Sequence, residues 1–212
     1  YFIKNNFLRI IKSLDVELNN NFSINFDETY KVKDYSYNNS GKFKNAKLRL
    51  PKSIENEYIL EEFKNIYISN LQIDSSFNPN KSLIKGDGEY SFDNSNFLKI
   101  NFDNNFKNDL FNLKLDFDFN TQLDLNLINY TKPKNTIGNL YLDVEKIKNI
   151  TKINELNFRE KNNLIQIDKL ILKKKDFISF KNIRVLTKNN DFFIKKNENI
   201  LIKGKKFDAT NL

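Results

Sequence analysis

From Phe111 to Leu127, every second position is one that tolerates an apolar surrounding. The row is Phe111, Leu113, Leu115, Phe117, Phe119, Thr121, Leu123, Leu125 and Leu127, and only Thr121 is ambivalent. The residues between them (Asn112, Lys114, Asp116, Asp118, Asn120, Gln122, Asp124 and Asn126) are all polar. Side chains on a strand alternate faces with a period of two, so this stretch predicts β-structure with one apolar and one solvated side. Two arrangements fit it. One is a single strand of about 55 Å at ~3.3 Å per residue; the other is a pair of strands joined by a turn at Asn120-Thr121-Gln122. Either way the apolar side needs a cover, because burying a Leu or Phe is worth roughly 1.5–3 kcal/mol.

The same alternation recurs along the chain. Leu14, Val16 and Leu18 are followed by Phe22, Ile24 and Phe26 after an Asn-rich segment at 19–21 that predicts a turn. Another turn is expected at Asn38-Asn39-Ser40-Gly41, and Ile66 and Ile68 hand over to Leu71 and Ile73 with a change of phase that predicts a β-bulge near Asn70. Leu98, Ile100 and Phe102 precede a break at Asp103-Asn104-Asn105. Leu140, Leu142 and Val144, then Ile165 and Ile167, Leu170 and Leu172, Ile183 and Val185, Phe192 and Ile194, and Ile200 and Ile202 continue the pattern. Strands spaced by about 8–12 residues with short polar breaks predict an antiparallel all-β chain. Short helical turns are expected at Ser53–Phe63 and Phe2–Ile11, and Val144, Ile147, Ile150 and Ile153 fit a short helix or an irregular strand.

The expected fold is therefore an antiparallel all-β sheet with few short helices; if strongly curved and twisted, it would leave its apolar side as an open hydrophobic groove. A closed β-sandwich is the alternative. The pattern runs without an evident break, so residues 1–212 read as one extended segment with a sub-boundary near 105–110. Alternation assigns the apolar lining to Phe111, Leu113, Leu115, Phe117, Phe119, Leu123, Leu125, Leu127, Leu140, Leu142, Ile165, Ile167, Ile200 and Ile202. The near-absence of Ala (Ala46 and Ala209) leaves few small side chains to interdigitate with Leu, Ile and Phe, which favours the groove.

Composition changes this picture in two places. Cys, His, Met and Trp are all absent. The chain begins with Tyr1 rather than Met, so it reads as a piece of a longer protein, with any leader or anchor upstream. No apolar run approaches the ~20 residues of a membrane span, which predicts a soluble or peripheral piece. The net charge of +8 is uneven: residues 1–130 carry 16 basic and 18 acidic groups, and residues 131–212 carry 19 and 9. Most of the cations are scattered lysines, with a run at Lys173-Lys174-Lys175 and only four arginines. That argues against nucleic acid, which is read largely through clustered Arg, and for a solvated sheet face.

Catalytic chemistry finds little support. Without His or Cys no Ser-His-Asp or Cys-His arrangement exists, and neither does the usual imidazole or thiolate zinc site. Asp116, Asp118 and Asp124 share one strand face, but alternation with Leu and Phe explains them as its wet side. Gly86-Asp87-Gly88 lacks the Gly-Lys-Ser/Thr ending of a phosphate loop and reads as a hairpin turn. Asp103-Asn104-Asn105 and Asp191 lack calcium-loop spacing. No enzyme, cofactor or metal is expected.

The C-terminal residues read ENILIKGKKFDATNL, and Ile202, Gly204, Phe207, Asp208 and Ala209 form an Ile-x-Gly-x-x-Phe-Asp-Ala unit. This unit resembles one that recurs in the AsmA-like bacterial envelope proteins, on the YhdP- and TamB-related branch. Asn129-Tyr130-Thr131-Lys132-Pro133 and Asn189-Asn190-Asp191-Phe192 resemble the same branch, and the likeness covers roughly residues 110–212. The resemblance implies a periplasmic segment of a longer protein, anchored in the inner membrane by a helix outside this sequence. It implies a repeating β-groove that carries phospholipid acyl chains between inner and outer membranes, contributing to outer-membrane biogenesis without catalysis. Its partners would be phospholipid acyl chains and envelope proteins at the two membranes. A structural or adhesive cell-surface β domain with a closed core is the alternative.

Overall fold

A computed structural model describes residues 7–174, 176–208 and 210. It is all-β: 76% of residues are in strands, and thirteen strands form one large antiparallel sheet that does not close into a barrel. Among the described residues no helix is long and apolar enough to cross a membrane. The chain divides into two compact units.

The first unit comprises the residues up to Ile54 together with Glu62–Asn108. After a helical turn at Phe7–Ile10, its strands are β1 (Ile11–Phe26), β2 (Val32–Asn56), β3 (Ile59–Asn78), β4 (Lys81–Ser91) and β5 (Leu98–Lys107), in sheet order as in sequence. The bulge expected near Asn70 is present: Asn70 has φ +52°, and the β3–β4 register shifts between Ser69 and Gln72.

Several expected turns are not turns. Asn19–Asn21 and Asn38–Gly41 lie in the middle of β1 and β2, paired to one another as Asn19 with Ser40, Asn20 with Asn39 and Asn21 with Asn38. The turn preference of Asn is local, and fifteen paired positions along this hairpin outweigh it. Tyr37 adds a bond from its hydroxyl to Asn20 Oδ1 at 2.6 Å. Asp103-Asn104-Asn105 likewise sits inside β5, opposite Lys85, Ile84 and Leu83. Gly86 and Gly88 are inside β4 rather than at a hairpin. There the Phe102 ring lies over Gly86, and the bulged β3 backbone at Asn70-Leu71 passes close to Gly88. Ser53–Phe63 contributes the end of β2 and the start of β3 rather than a helix.

The second unit comprises residues 55–61 and the chain from Asp109 onward. Its strands are β6 (Leu110–Phe119), β7 (Leu123–Leu125), β8 (Tyr130–Lys132), β9 (Gly138–Ile147), β10 (Ile150–Glu160), β11 (Asn163–Lys173), β12 (Asp176–Ser179), β13 (Asn182–Leu186), β14 (Asp191–Lys196) and β15 (Ile200–Lys206). In space the order is β6-β9-β10-β11-β13-β14-β15, with β12 beside β11. β7 and β8 form a separate two-stranded sheet, linked by a 3₁₀ turn at Asn126–Ile128. The row at 111–127 is thus neither one strand nor a hairpin with itself. β6 stops at Phe119, and β7 pairs with β8 instead of turning back on β6. The three-residue recurrence from Val144 to Ile153 is a hairpin, not a helix. The chain turns at Lys148-Asn149, so that Ile147 faces Ile150 and Val144 faces Ile153 across two strands.

Candidate functional site

Register makes the alternation of single strands into a surface. In the second unit one ladder of directly paired residues runs Leu115, Leu142, Leu156, Ile167, Ile183, Ile194 and Ile202, through seven strands without a polar member. Beside it runs Phe117, Leu140, Phe158, Ile165, Val185, Phe192 and Gly204. A shorter third ladder joins Leu113, Val144, Ile153 and Leu170. Bulge-like positions at Asn154 and Lys169 keep it in step: the β9–β10 register shifts between Ile153 and Glu155, and Lys169 has φ +53°. Directly opposed side chains share a face, so all three ladders lie on one side of the sheet.

The opposite side is mixed: polar side chains bond to one another there, beside Tyr141, Leu164, Leu186, Phe193 and Leu201. Asn139 Nδ2 donates to Asp116 Oδ1 at 2.7 Å and to Asp118 Oδ1 at 3.1 Å, Gln166 and Asn182 donate to Asp168, and Arg184 pairs with Asp191 at 2.5 Å. The aspartates singled out in the sequence are held by amides as structural acceptors, and Asp124 accepts from Gln122 at 3.0 Å. Among the described residues no group of three metal-ligating side chains converges.

One end of the apolar face is covered. Residues 120–137 lay Leu123, Leu125, Ile128 and Tyr130 over Phe119, Phe158, Ile165, Val185 and Phe192, which are buried. The Tyr130 and Phe119 rings lie 5.8 and 5.9 Å from Phe158. Lys132 is completely buried here. Its Nζ donates to the carbonyls of Thr121 at 2.7 Å and Pro133 at 3.3 Å and stands 4.9 Å from the Phe119 ring centre. Burial holds its pKa below the usual lysine value, against the opposing pull of Glu160 and Glu61. A Cβ at Gly138 would come within 2.8 Å of Lys132 Cε and 3.1 Å of the Phe158 ring, so a side chain there would have to displace the Lys132 stem. Buried Glu160 accepts from Asn163 at 2.6 Å and from the Tyr130 hydroxyl at 3.2 Å. Burial first, and then the Glu160 charge, push the Tyr130 pKa up. The β2–β3 turn reaches the same cover: Tyr58 O accepts from Asp124 N at 2.9 Å, and Glu61 pairs with Lys134 at 3.0 Å.

The three sequence fragments that carry the family resemblance meet at this end. Fully buried Asn190 donates from Nδ2 to Ile128 O at 2.6 Å and accepts on Oδ1 from Asp208 N at 2.9 Å. Asn129 Nδ2 donates to Asp208 Oδ2 at 2.8 Å. Bonds from Thr210, and then from Asn129, hold the Asp208 carboxyl below the usual range. Phe207 stands edge-on to Phe192 at 5.1 Å. A Cβ at Gly204 would press on Asp191 O and Phe192 Cβ, both 2.5 Å away, so glycine permits the close approach of β15. These residues form a clasp that ties the cover and the last strand to β14. Ala209 lies outside the described residues.

Comparison with known protein families, with curated proteins and with solved structures returned no match.

Of the lining positions expected from the sequence, Leu113, Leu115, Phe117, Leu140, Leu142, Ile165, Ile167 and Ile202 fall in the ladders. Phe119 shares their face and is buried, and Ile200 shares it on the exposed last strand. Phe111 is on the same side but faces Lys146. Leu123 and Leu125 belong to the cover rather than the sheet, and Leu127 is 69% exposed on the 3₁₀ turn, where the strand period no longer applies. Val144, Ile153, Leu156, Phe158, Leu170, Ile183, Val185, Phe192 and Ile194 complete the apolar surface. Each alternates within its own strand, but only the register shows that they share one face. Away from the cover the ladder residues are half-buried or, in β15, exposed. An apolar cavity of about 400 Å³ lies at β14–β15, lined by Phe192, Ile194, Ile202, Gly204, Phe207 and two lysines.

Proposed function

We propose that the apolar face of the second unit solvates phospholipid acyl chains, as a non-catalytic part of a conduit between membranes. The observation that carries this reading is the pair of apolar ladders spanning seven strands, whose members away from residues 120–137 are only half-buried. An acyl chain gains roughly 0.8 kcal/mol per buried CH₂ and needs no specific pocket, only a continuous apolar floor. The reverse face, where amides and carboxylates bond to one another among fewer apolar residues, would stay in water. The AsmA-like resemblance of residues 110–212 supports the same reading, in which the chain belongs to a periplasmic, inner-membrane-anchored envelope protein serving outer-membrane biogenesis.

A photo-crosslinking amino acid at Leu142 is expected to capture phospholipid in cells, whereas one at Asp116, on the reverse face, is not. Equal capture at both positions, or at neither, overturns the reading. The second reading, a structural or adhesive domain with a closed core, draws support from the sealed cluster around Phe158. It predicts that Leu142 crosslinks only to protein.

A further inference from the structure

We infer that the hairpin end of the second unit, remote from the cover, docks on an anionic lipid bilayer. This does not depend on acyl chains occupying the face. Toward this end lie the turns between β9 and β10 and between β11 and β12 and, stepped back along the strands to the level of Asp168, the link between β12 and β13 and the turn between β14 and β15. They carry exposed Ile147, Ile150, Phe177, Ile178 and Ile200, with side chains between 42% and 61% accessible. Interleaved with them are Lys146, Lys148, Lys152, Lys173, Lys174 and Lys181, all exposed. Among the described residues none of these lysines forms an ion pair, although Asp109, Glu145, Asp176 and Glu198 are on the same end.

At the covered end several cations are engaged, although among the described residues Arg159, Lys188 and Lys205 form no ion pair there. Lys134 is paired with Glu61, Lys161 with Glu160 and Arg184 with Asp191, and Lys206 donates to Lys188 O. An end that leaves its lysines without counter-ions beside bare Ile and Phe has the two components of interfacial binding: side chains that enter the acyl boundary and charges that meet lipid phosphates. A nucleic acid or an acidic protein face would use the lysines but leave the isoleucines in water. Near an anionic surface each lysine is worth about a fivefold change in partition.

The test uses the full chain and vesicles of phosphatidylcholine with or without phosphatidylglycerol. Co-sedimentation is expected only with phosphatidylglycerol. The double variant Lys148→Glu/Lys174→Glu should weaken it more than tenfold, and Ile147→Asp/Ile150→Asp should weaken it comparably while every lysine stays in place. Because the chain has no Trp, Ile150→Trp supplies a single reporter, whose emission should shift to the blue on these vesicles and be quenched by brominated acyl chains. Binding that ignores phosphatidylglycerol, or that survives the isoleucine substitutions, overturns the proposal. So does an indole emission from the Ile150→Trp variant that stays unshifted while the chain sediments with the vesicles. Loss of vesicle docking with lipid capture at Leu142 intact would sink this inference alone. Docking without capture would sink only the conduit.

Discussion

The two ends of the apolar face in the second unit have the same kind of sequence and different fates. Phe119, Phe158, Val185 and Phe192 lie under residues 120–137 and are buried to 8% exposure or less. Leu113, Leu142, Val144 and Ile153, further along the same face, are only half-buried. No difference in hydrophobicity separates the groups, since Leu and Val alternate with polar residues as regularly as Phe does. What separates them is the break in the strand after Phe119, which lifts one short hairpin off the sheet and over its end. A period-two pattern states that a face is apolar. Whether that face is closed depends on a segment that keeps the pattern but leaves the sheet.

Removing side chains from each end sharpens this contrast most. Phe158→Ala should cost about 3–5 kcal/mol, as for a large buried side chain with partly relaxed surroundings. Leu142→Ala should cost less, about 1–2 kcal/mol, because part of its surface already meets solvent. Urea midpoints of the two variants check this, and equal losses would mean that both ends are packed alike. Gly138→Ala comes next, at about 1–3 kcal/mol, because the new methyl displaces the Lys132 stem and the Phe158 ring. Its effect should appear as faster amide exchange in residues 120–137 before the rest of the unit responds.

Two smaller effects depend on pH. Burial lowers the folded pKa of Lys132, so the unfolded chain binds its proton more readily. This group's contribution to stability therefore rises with pH between its folded value and 10.5. Lys132→Met should lose that rise, seen as a denaturant midpoint that changes less with pH above neutral than that of the wild type. Asp208 works in the opposite sense. Its folded pKa is depressed, so its contribution is present above the unfolded value of 3.8 and lost as pH falls below it. Asp208→Ala should be less stable at neutral pH and show a weaker dependence of melting temperature on pH below about pH 4, the smallest change in the series.

Much of this was legible locally. The phase change from Ile68 to Leu71 identifies the Asn70 bulge, because a bulge is the simplest way to move a residue onto the other face. The Asn-rich stretches misled for a related reason. Asn favours turns when its own backbone decides, but at Asn20 and Asn39 the partner strand decides. The glycines of β4 have their reason across the sheet, in Phe102 and Leu71, where no neighbour in sequence reveals it. Among the site residues, the fragments at 129–133, 189–192 and 202–208 stand out individually. That they join in one clasp through Asn190 and Asp208 depends on contacts spanning up to 79 residues.

The sequence by itself determined the all-β class, the antiparallel pairing and the apolar side of most strands, because side-chain direction in a strand follows from backbone geometry one residue at a time. Only the tertiary structure decided which apolar rows align into ladders, which end is sealed and which lysines lack counter-ions. Those outcomes are set by register and by one segment crossing over the sheet. Their free energy comes from groups far apart in the chain, and no local window contains both partners.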